Sequence, residues 1–305
     1  MKLYLVMMIC LFFIGHILFG EDVLVNGTKT VLPKTVKEGA VLVEIFSSKS
    51  FFEAPVWDVK HQQLYFTGYK DKYDRVKKFI KVGDASDVEN TKGVGGTFLG
   101  INGNLLAVNC IIPEVLSYEL TPEGPVKKKV LASDKNWLNP NDLCQLKNGS
   151  IYFTDPDFKQ KKRSAVYHLS KKGVVAKVIS TMSIPNGIIA SRDGKTLYVS
   201  DSHLKEWKSF LIMEDGKLKN EKVFFKPKTK SKRSPDGMTI DAKGNLYFTG
   251  LGGLWVVTPL GKAIGFIKVP EFCSNVAFGG KDFNELTITC GKKVYRLSMN
   301  VKGNR

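Results

Sequence analysis

The stretch Leu246-Tyr-Phe-Thr-Gly250 recurs along the chain with small changes, and this repetition decides the fold. Six copies begin 40 to 49 residues apart. They read Leu64-Tyr-Phe-Thr-Gly68, Leu105-Leu-Ala-Val-Asn109, Ile151-Tyr-Phe-Thr-Asp155, Leu197-Tyr-Val-Ser-Asp201, Leu246-Tyr-Phe-Thr-Gly250 and Leu286-Thr-Ile-Thr-Cys290. β-branched and aromatic residues dominate these copies, and no convincing amphipathic helix separates them. The sequence therefore predicts an all-β fold built from units of about 45 residues.

A unit of this length suits one four-stranded antiparallel sheet, which is the blade of a β-propeller. Six units predict a six-bladed β-propeller that occupies residues 21–305 as a single domain. The ring of blades must close, because an open ring would leave sheet edges exposed. We expect Ala40–Phe46 to add the last strand to the blade that contains Val294–Ser298, so that an N-terminal strand closes the ring.

The composition narrows the class of protein. With 43% hydrophobic and 25% charged residues, the chain has an ordinary globular composition, which excludes disordered and fibrous classes. Its 46 Lys and Arg against 29 Asp and Glu give a net charge of +17, and such a charge usually suggests a polyanionic partner. The basic residues fall mostly between the repeated strands, as in Lys159–Arg163 and Lys226–Arg233. They are not interleaved with aromatic residues, so no nucleic-acid partner is expected. Weak polyanion binding through these Lys-rich loops is kept as a hypothesis.

The first twenty residues have the pattern of a secretory signal peptide. Leu3–Phe19 is an apolar run behind Lys2, and Gly20 is a small residue at the expected cleavage position. An uncleaved signal anchor is the alternative, although the run is short for a membrane span. Cleavage would leave no stable membrane span and would place the protein in the lumen of the secretory pathway or outside the cell.

Glycosylation triplets and cysteines agree with secretion. Asn26-Gly-Thr28 and Asn148-Gly-Ser150 have the form of N-glycosylation acceptors. Four cysteines follow the leader. An even number fits an oxidising compartment, with free buried thiols as the alternative. Cys273 and Cys290 fall opposite each other across the last hairpin, either as a disulfide or as two neighbouring thiols.

Oxygen-bearing side chains lie ten or eleven residues ahead of the repeated strand in five of the six units. These residues are Glu53, Asn141, Asn186, Asp236 and Asn275. In the second unit Val94-Gly-Gly96 takes this position. Equivalent positions of a propeller converge on its axis, so we expect the five side chains to meet at the mouth of the central tunnel. Pro185-Asn-Gly187 and Pro235-Asp-Gly237 taken singly also suit tight turns, but the shared spacing favours a site.

An oxygen-only set of Glu, Asp and Asn suits a hard divalent cation. Ca²⁺ fits best because it takes roughly six to eight flexible oxygen ligands. Zn²⁺, Mn²⁺ and Mg²⁺ are alternatives, although no His or Cys joins the ring as a dedicated zinc site would need. Asp142 either orients Asn141 or a water, or is a turn residue. Asp155, Asp201 and His203 could reach the same face, but roles in holding the local backbone are favoured.

These motifs resemble those of the regucalcin (senescence marker protein)/gluconolactonase family, six-bladed propellers that include metal-dependent lactonases. The resemblance rests on Glu53-Ala-Pro-Val-Trp57, Pro140-Asn-Asp-Leu143, Pro185-Asn-Gly-Ile188, Ser234-Pro-Asp-Gly-Met-Thr-Ile-Asp241 and Asn275-Val-Ala-Phe-Gly-Gly280. It implies that Glu53, Asn186 and Asp236 are metal ligands and that Asn141 lines the site as a direct or water-mediated ligand. It also implies that Asp236 is the base or nucleophile, with Asn141 as its partner in catalysis. Asp142 and Asn275 are additional candidates.

Two departures from the family pattern bear on the substrate. Ala54 stands where the family usually has Gly, a difference of one methyl group. Sugar-lactone members often carry an Arg near the Asn-Asp pair, whereas this chain has Trp137-Leu-Asn-Pro140. A less polar lactone or ester is therefore favoured over a sugar-acid lactone.

The expected function is that of a secreted, metal-dependent hydrolase of small-molecule lactones or esters. The metal would polarise the carbonyl, and a carboxylate would accept the proton of the attacking water. The alternative is a non-catalytic secreted propeller that binds Ca²⁺ or another ligand.

Overall fold

The structure, a computed structural model, describes residues 24–25, 28–29, 32–70 and 73–304. Within these ranges every element of regular secondary structure is a β-strand. The expected signal peptide and the glycosylation acceptor Asn26 lie outside the described residues. The described part of the chain holds no helix with the length and hydropathy of a membrane span.

Six four-stranded antiparallel sheets form the blades of a six-bladed β-propeller, as the repeat predicts. Two short strands, β1 (Leu24–Val25) and β2 (Thr28–Lys29), pair separately, and β3 (Val43–Ser47) precedes the first blade. The first blade contains β4 (Phe51–Asp58), β5 (Gln63–Lys70), β6 (Tyr73–Lys81) and β7 (Asp84–Asp87). The second contains β8 (Val94–Leu99), β9 (Leu105–Asn109), β10 (Glu114–Leu120) and β11 (Pro125–Ser133). The third contains β12 (Leu143–Gln145), β13 (Ile151–Asp155), β14 (Ala165–Leu169) and β15 (Val175–Ile179). The fourth blade contains β16 (Pro185–Ala190), β17 (Thr196–Asp201), β18 (Glu206–Ile212) and β19 (Leu218–Phe225). The fifth contains β20 (Met238–Ile240), β21 (Leu246–Gly250), β22 (Gly253–Val257) and β23 (Ala263–Lys268). The sixth contains β24 (Cys273–Gly279), β25 (Glu285–Cys290) and β26 (Lys293–Ser298), and β3 is its fourth strand.

The predicted closure of the ring is confirmed. β3 pairs with β26 in the sixth blade, with Ser47 opposite Lys293 and Phe46 opposite Val294. The first strand of each blade is the innermost, and β4 contacts both β8 and β24. The chain ends are thereby tied into one sheet, and the six inner strands surround a central tunnel.

The Tyr-Phe pair of the repeat fills the two interfaces on either side of a blade. Adjacent residues of a strand point to opposite faces of the sheet. Tyr65 accordingly packs with the second blade, against Leu105, whereas Phe66 packs with the sixth, against Val294. The same rule holds in the third blade, where Tyr152 faces the fourth blade. Both faces of a blade are buried, which explains why the repeat is continuously apolar rather than alternating.

The Thr that follows this pair binds the neighbouring blade. Thr67 Oγ1 donates to the carbonyl of Gly95 at 2.9 Å, and Thr154 Oγ1 donates to the carbonyl of Asn186 at 2.7 Å. Thr249 Oγ1 lies 2.9 Å from the carbonyl oxygen of Ser274. Each of these bonds ties the second strand of one blade to the inner strand of the next, close to the axis.

Two details correct or sharpen the sequence interpretation. Cys273 and Cys290 lie opposite each other as predicted, and all four cysteines of the described chain are free thiols. The alternation within Val166-Tyr-His-Leu169 predicts that His168 points outward from its strand, and this prediction is wrong. It is 9% exposed and its ring lies 4.8 Å from that of Tyr152. The alternation of a propeller strand separates two blade interfaces, not core from solvent.

We expect Thr154→Val to destabilise the protein by about 1–3 kcal/mol. The change keeps the shape of the side chain but leaves the buried carbonyl of Asn186 without its hydroxyl donor. Thr196→Val is the matched control, because Thr196 also lies on a second strand and its hydroxyl makes no hydrogen bond within the described residues. Urea unfolding followed by tryptophan fluorescence measures both. Equal effects of the two substitutions would contradict the proposed binding between blades.

Candidate functional site

The inner strands are irregular where they carry the predicted site residues. The register of β4 with its neighbour shifts between Glu53 and Val56, and that of β16 shifts between Pro185 and Ile188. β24 shifts between Cys273 and Asn275. A bulge turns a side chain away from the regular pleat, and here it turns Glu53, Asn186 and Asn275 towards the axis.

Asn141 and Asp236 reach the same level without a bulge, because each stands just ahead of its strand. The backbone N–H of Asn141 donates to the carbonyl of Thr154 at 2.9 Å, and that of Asp236 donates to the carbonyl of Thr249 at 3.2 Å. Thr154 and Thr249 are equivalent residues of the repeat. Asn141 and Asp236 are therefore equivalent positions of two blades, as their spacing predicts.

The glycines of Pro185-Asn-Gly187 and Pro235-Asp-Gly237 do not serve a tight turn. A Cβ on Gly187 would lie 2.3 Å from the carbonyl oxygen of Asp236, and one on Gly237 would lie 2.1 Å from the side chain of Asn275. Only glycine lets neighbouring inner strands approach this closely. The motifs therefore pack the ring at the axis, which favours the site interpretation over the turn interpretation.

The structure brings four of the five predicted side chains together in two pairs. The amide of Asn275 lies beside the carboxylate of Glu53 and lowers its pKa, and the amide of Asn186 has the same effect on Asp236. Asn186 Nδ2 also donates to Ser202 Oγ at 3.1 Å, which leaves its oxygen free to face the axis. Asn275 Oδ1 instead accepts the N–H of Val276 at 2.8 Å, so this amide braces Glu53. We call Glu53, Asn141, Asn186, Asp236 and Asn275 the axial ring.

The carboxylates of the axial ring carry no compensating cation. Burial is the main cause that raises the pKa of Glu53 to about 8, and repulsion from Asp142 and Asp74 adds to it. Burial is also the main cause that raises the pKa of Asp236 well above its usual range, and repulsion from Glu53 and Asp142 adds to it. Among the described residues, no Lys or Arg offsets either shift. Such a cluster of buried oxygen donors fits a divalent cation, which supplies the missing positive charge.

Asp142 lies beside the axial ring and joins two blades. Its carboxylate accepts the N–H of Leu143 at 2.9 Å and that of Ile188 at 3.3 Å. Burial raises its pKa to about 7. Because both oxygens are held by backbone donors, Asp142 positions the strand behind Asn141 and adds negative charge to the ring. The side chain of Asn141 itself is half-buried and has no hydrogen-bond partner within the described residues.

The second blade leaves a gap in the ring at Gly95, and a residue that the sequence analysis missed stands in front of it. Asp74 Oδ2 lies 3.8 Å from the point where a Cβ of Gly95 would be, and Cys110 Sγ lies 3.6 Å from it. The two side chains are 3.6 Å apart. Burial raises the pKa of Asp74 to about 6, against the effect of the Cys110 hydrogen bond. Asp74 lies on the third strand of the first blade, outside the repeated loop position, so only the gap at Gly95 could have signalled it.

The other acidic residues near strand ends have the structural roles favoured from the sequence. Asp155 accepts the N–H groups of Leu138 and Asn139 at 2.9 and 2.6 Å. Asp201 accepts the N–H groups of His203 and Leu204, both at 3.0 Å. These carboxylates shape the loops around the ring and do not join it.

A cavity of about 430 Å³ is lined by residues of the inner strands of all six blades. Asp142 and Asn275 are among its lining residues, and its walls also include Leu99, Ile189 and Val276. Among the described residues there is no group of three or more His, Cys, Asp and Glu side chains arranged to hold a metal. The donor set of the ring is of a different kind, two carboxylates supplemented by amides.

Fold and site together define a class of protein, the six-bladed β-propellers with a carboxylate-and-amide ring at one end of the axis. Within this class, the chain belongs to the family described as the SMP-30/gluconolactonase/LRE-like region, whose family model matches residues 51–292. The family that the motifs indicated is thereby confirmed.

Relatives support this assignment. A gluconolactonase from Zymomonas mobilis is 31% identical over 190 residues, which are 55% of this chain and 52% of that enzyme. The chain thus matches about half the length of that relative. A solved gluconolactonase from Xanthomonas campestris has a TM-score of 0.74 at 22% identity, over 88% of this chain and 94% of that one. A calcium-binding regucalcin from Agrobacterium tumefaciens has a TM-score of 0.68 at 18% identity, over 85% and 96%. These two structures agree with the fold.

We expect Asp74→Asn to stabilise the protein above about pH 6, by about 1–2 kcal/mol. An unfolded Asp ionises near pH 4, whereas folded Asp74 ionises near pH 6. The cost of its charge is therefore absent at pH 4, grows between the two pKa values and is complete above pH 6. The neutral amide removes this cost, so the gain should vanish near pH 4.

Urea unfolding at pH 8 and pH 4 measures this difference. Asp193→Asn is the control, since hydrogen bonds from Ser191 and Lys195 hold the pKa of Asp193 below its usual range. That variant should show no gain at pH 8. A loss of stability in Asp74→Asn at pH 8 would contradict the cost assigned to the buried charge.

Proposed function

We propose that the protein is a divalent-metal-dependent hydrolase of lactones or esters, and that Ca²⁺ is the metal that its axial ring suits best. The observation that carries this proposal is the pairing of Glu53 and Asp236. Asp236 is buried and Glu53 half-buried, the charge of Glu53 raises the pKa of Asp236, and amides rather than cations lie beside both carboxylates. Buried charge without a partner is costly, and a dication with oxygen ligands offsets that cost.

Glu53, Asn186 and Asp236 would hold the cation, with Asn141 as a direct or water-mediated ligand. Asn275 braces Glu53, and Asp142 fixes the backbone behind Asn141. When bound, the cation would supply a Lewis acid for the substrate carbonyl and stabilise the developing negative charge.

The chemistry of the chain's own residues follows from their positions. Asp236 is held by its backbone and by the Asn186 amide, so its carboxylate can accept the proton of an attacking water and return it to the leaving oxygen. The unpartnered amide of Asn141 is available to donate to the substrate oxygen. Glu53, from the first blade, fixes the opposite side of the ring.

The segment ahead of Asn141 favours a substrate of limited polarity. Trp137 is 4% exposed and packs on Phe153 with ring centroids 4.8 Å apart. Leu138 and Asn139 are held by Asp155 where sugar-lactone members of the family often present an Arg. This segment offers no cationic group to bind sugar hydroxyls. We therefore propose an alkyl- or aryl-substituted lactone or ester as the substrate class.

The first test is stabilisation by metal. We expect Ca²⁺ to raise the Tm of the purified protein, since a ligand at about 100 times its Kd adds about 2.7 kcal/mol to stability. Glu53→Gln should lose this response because it removes one of two charged ligands, while its metal-free form should be at least as stable as metal-free wild type. Asp193→Asn, an exposed turn variant, should keep the full response. Thermal melts with Ca²⁺, Mg²⁺, Mn²⁺ and Zn²⁺ rank the metals, and no shift with any of them would refute the metal proposal.

The second test is turnover. We expect hydrolysis of alkyl- and aryl-substituted lactones or aryl esters to exceed that of glucono-lactone, and to be lost on chelation. Asp236→Asn should lower kcat by about 100-fold or more, because it removes the proton acceptor. Asp193→Asn should retain wild-type kcat. A protein that binds metal at Glu53 but hydrolyses none of these compounds would instead be the non-catalytic binding propeller.

A further inference from the structure

Three basic loops lie together on the face of the propeller that carries the axial ring. They are residues 157–163, 202–205 and 226–233, which we call the basic rim. Lys161 Nζ lies 3.2 Å from His203 Nδ1, and Lys205 Nζ donates to the carbonyl of Ser231 at 3.4 Å. The three loops are thus continuous in space. The rim also borders the ring, because Ser202 Oγ accepts from Asn186 and donates to the carbonyl of Pro235.

The acidic residues in and next to the basic rim are turned inward. The carboxylate of Asp157 is 7% exposed and accepts backbone N–H groups, including that of Gln160 at 2.8 Å. Asp201 is fully buried by the same kind of contact with His203 and Leu204. Beside the rim, Glu206 is buried and pairs with Lys226 at 2.8 Å. Lys205 contacts the Ser231 carbonyl, and the other basic residues of the rim form no ion pair within 4 Å in the described chain: Lys159, Lys161, Lys162, Arg163, Lys228, Lys230, Lys232 and Arg233.

The segment 226–233 displays its charge in a regular pattern. Lysines occupy every second position from Lys226 to Lys232, and all four are exposed. The residues between them face the protein: Pro227 is buried, and Thr229 and Ser231 are half-buried. In an extended chain alternate residues share a side. The lysines therefore form a row directed to solvent.

Two exposed apolar side chains stand among these charges. Phe158 is 45% exposed and Leu204 is 41% exposed, and they lie in the two loops joined by Lys161 and His203. A soluble polyanion offers no apolar surface that these two side chains could contact. An interface of cationic side chains with a few exposed aromatic and aliphatic residues is suited to a membrane surface, where the apolar groups enter the headgroup region.

We infer that the basic rim docks the protein peripherally on an anionic phospholipid bilayer. Basic side chains near such a surface strengthen binding roughly fivefold each at low ionic strength, while Phe158 and Leu204 add apolar contact. Docking by this face holds the axial ring next to the bilayer. The inference does not depend on hydrolysis and is tested without it.

Co-sedimentation with vesicles tests the charged part of the surface. The purified protein should bind vesicles of phosphatidylcholine with phosphatidylserine, and not vesicles of phosphatidylcholine alone. The triple variant Lys228→Gln, Lys230→Gln and Lys232→Gln should bind at least tenfold more weakly. A control triple variant at Lys127, Lys128 and Lys129, which are exposed on β11 of the second blade and of which the first two pair with Glu119 and Glu114, should keep wild-type binding. Thermal melts verify that both variants fold.

A second variant separates a membrane from a soluble polyanion. Phe158→Ser with Leu204→Ser should weaken vesicle binding several-fold while leaving elution from heparin unchanged, because heparin contacts the charges alone. Wild-type protein that binds heparin but not anionic vesicles would overturn the inference, as would equal loss of vesicle binding in the two lysine variants. Unchanged vesicle binding in the Phe158 and Leu204 variant would also overturn it.

Discussion

The hydrogen bond from the repeat threonine to the next inner strand is the interaction on which the rest of the structure depends. Each blade is a separate sheet, so it needs a connection to its neighbour near the axis other than regular strand pairing. Thr67, Thr154 and Thr249 supply one, each through a buried hydroxyl. Because the accepting carbonyls belong to Gly95, Asn186 and Ser274, these bonds fix the backbone at the level of the axial ring. The fourth blade uses Ser202 and the sixth uses Ser274 for comparable bonds, to Pro235 and Phe52.

Close packing at the axis and the chemistry of the site therefore have one cause. Gly187 and Gly237 allow neighbouring inner strands to touch, and the hydroxyls hold them there. The side chains carried at these points then converge, although Glu53 and Asp236 repel each other. Ala54 is also held in an unfavourable state at the axis. It is 2% exposed and its φ is +44°, a backbone conformation that favours the glycine usual in relatives. The fold accepts unfavourable charge and backbone geometry at its centre, and apolar contacts between blades offset them.

The sequence predicted those features that repeat, and it missed those that do not. The recurrence of Leu-Tyr-Phe-Thr predicted the blades, because each residue of this motif has one structural task in every blade. Equivalent spacing likewise predicted that Glu53, Asn186 and Asp236 meet. Asp74 could not be found this way, since it reaches the gap at Gly95 from a third strand. His168 was misjudged because both faces of a blade are interfaces, so that strand periodicity does not indicate exposure.

Basic and acidic residues are separated in the molecule. Its net charge of +17 is concentrated in part on the basic rim, while the acidic side chains lie at the axial ring, where the proposed cation would offset them. In the proposed reaction a neutral lactone or ester becomes an acid, and the product carries a new carboxylate at the ring. The lysines around the mouth attract that carboxylate outward. A neutral substrate is not subject to this attraction and enters without hindrance. The positive rim thus favours release of the product over its retention.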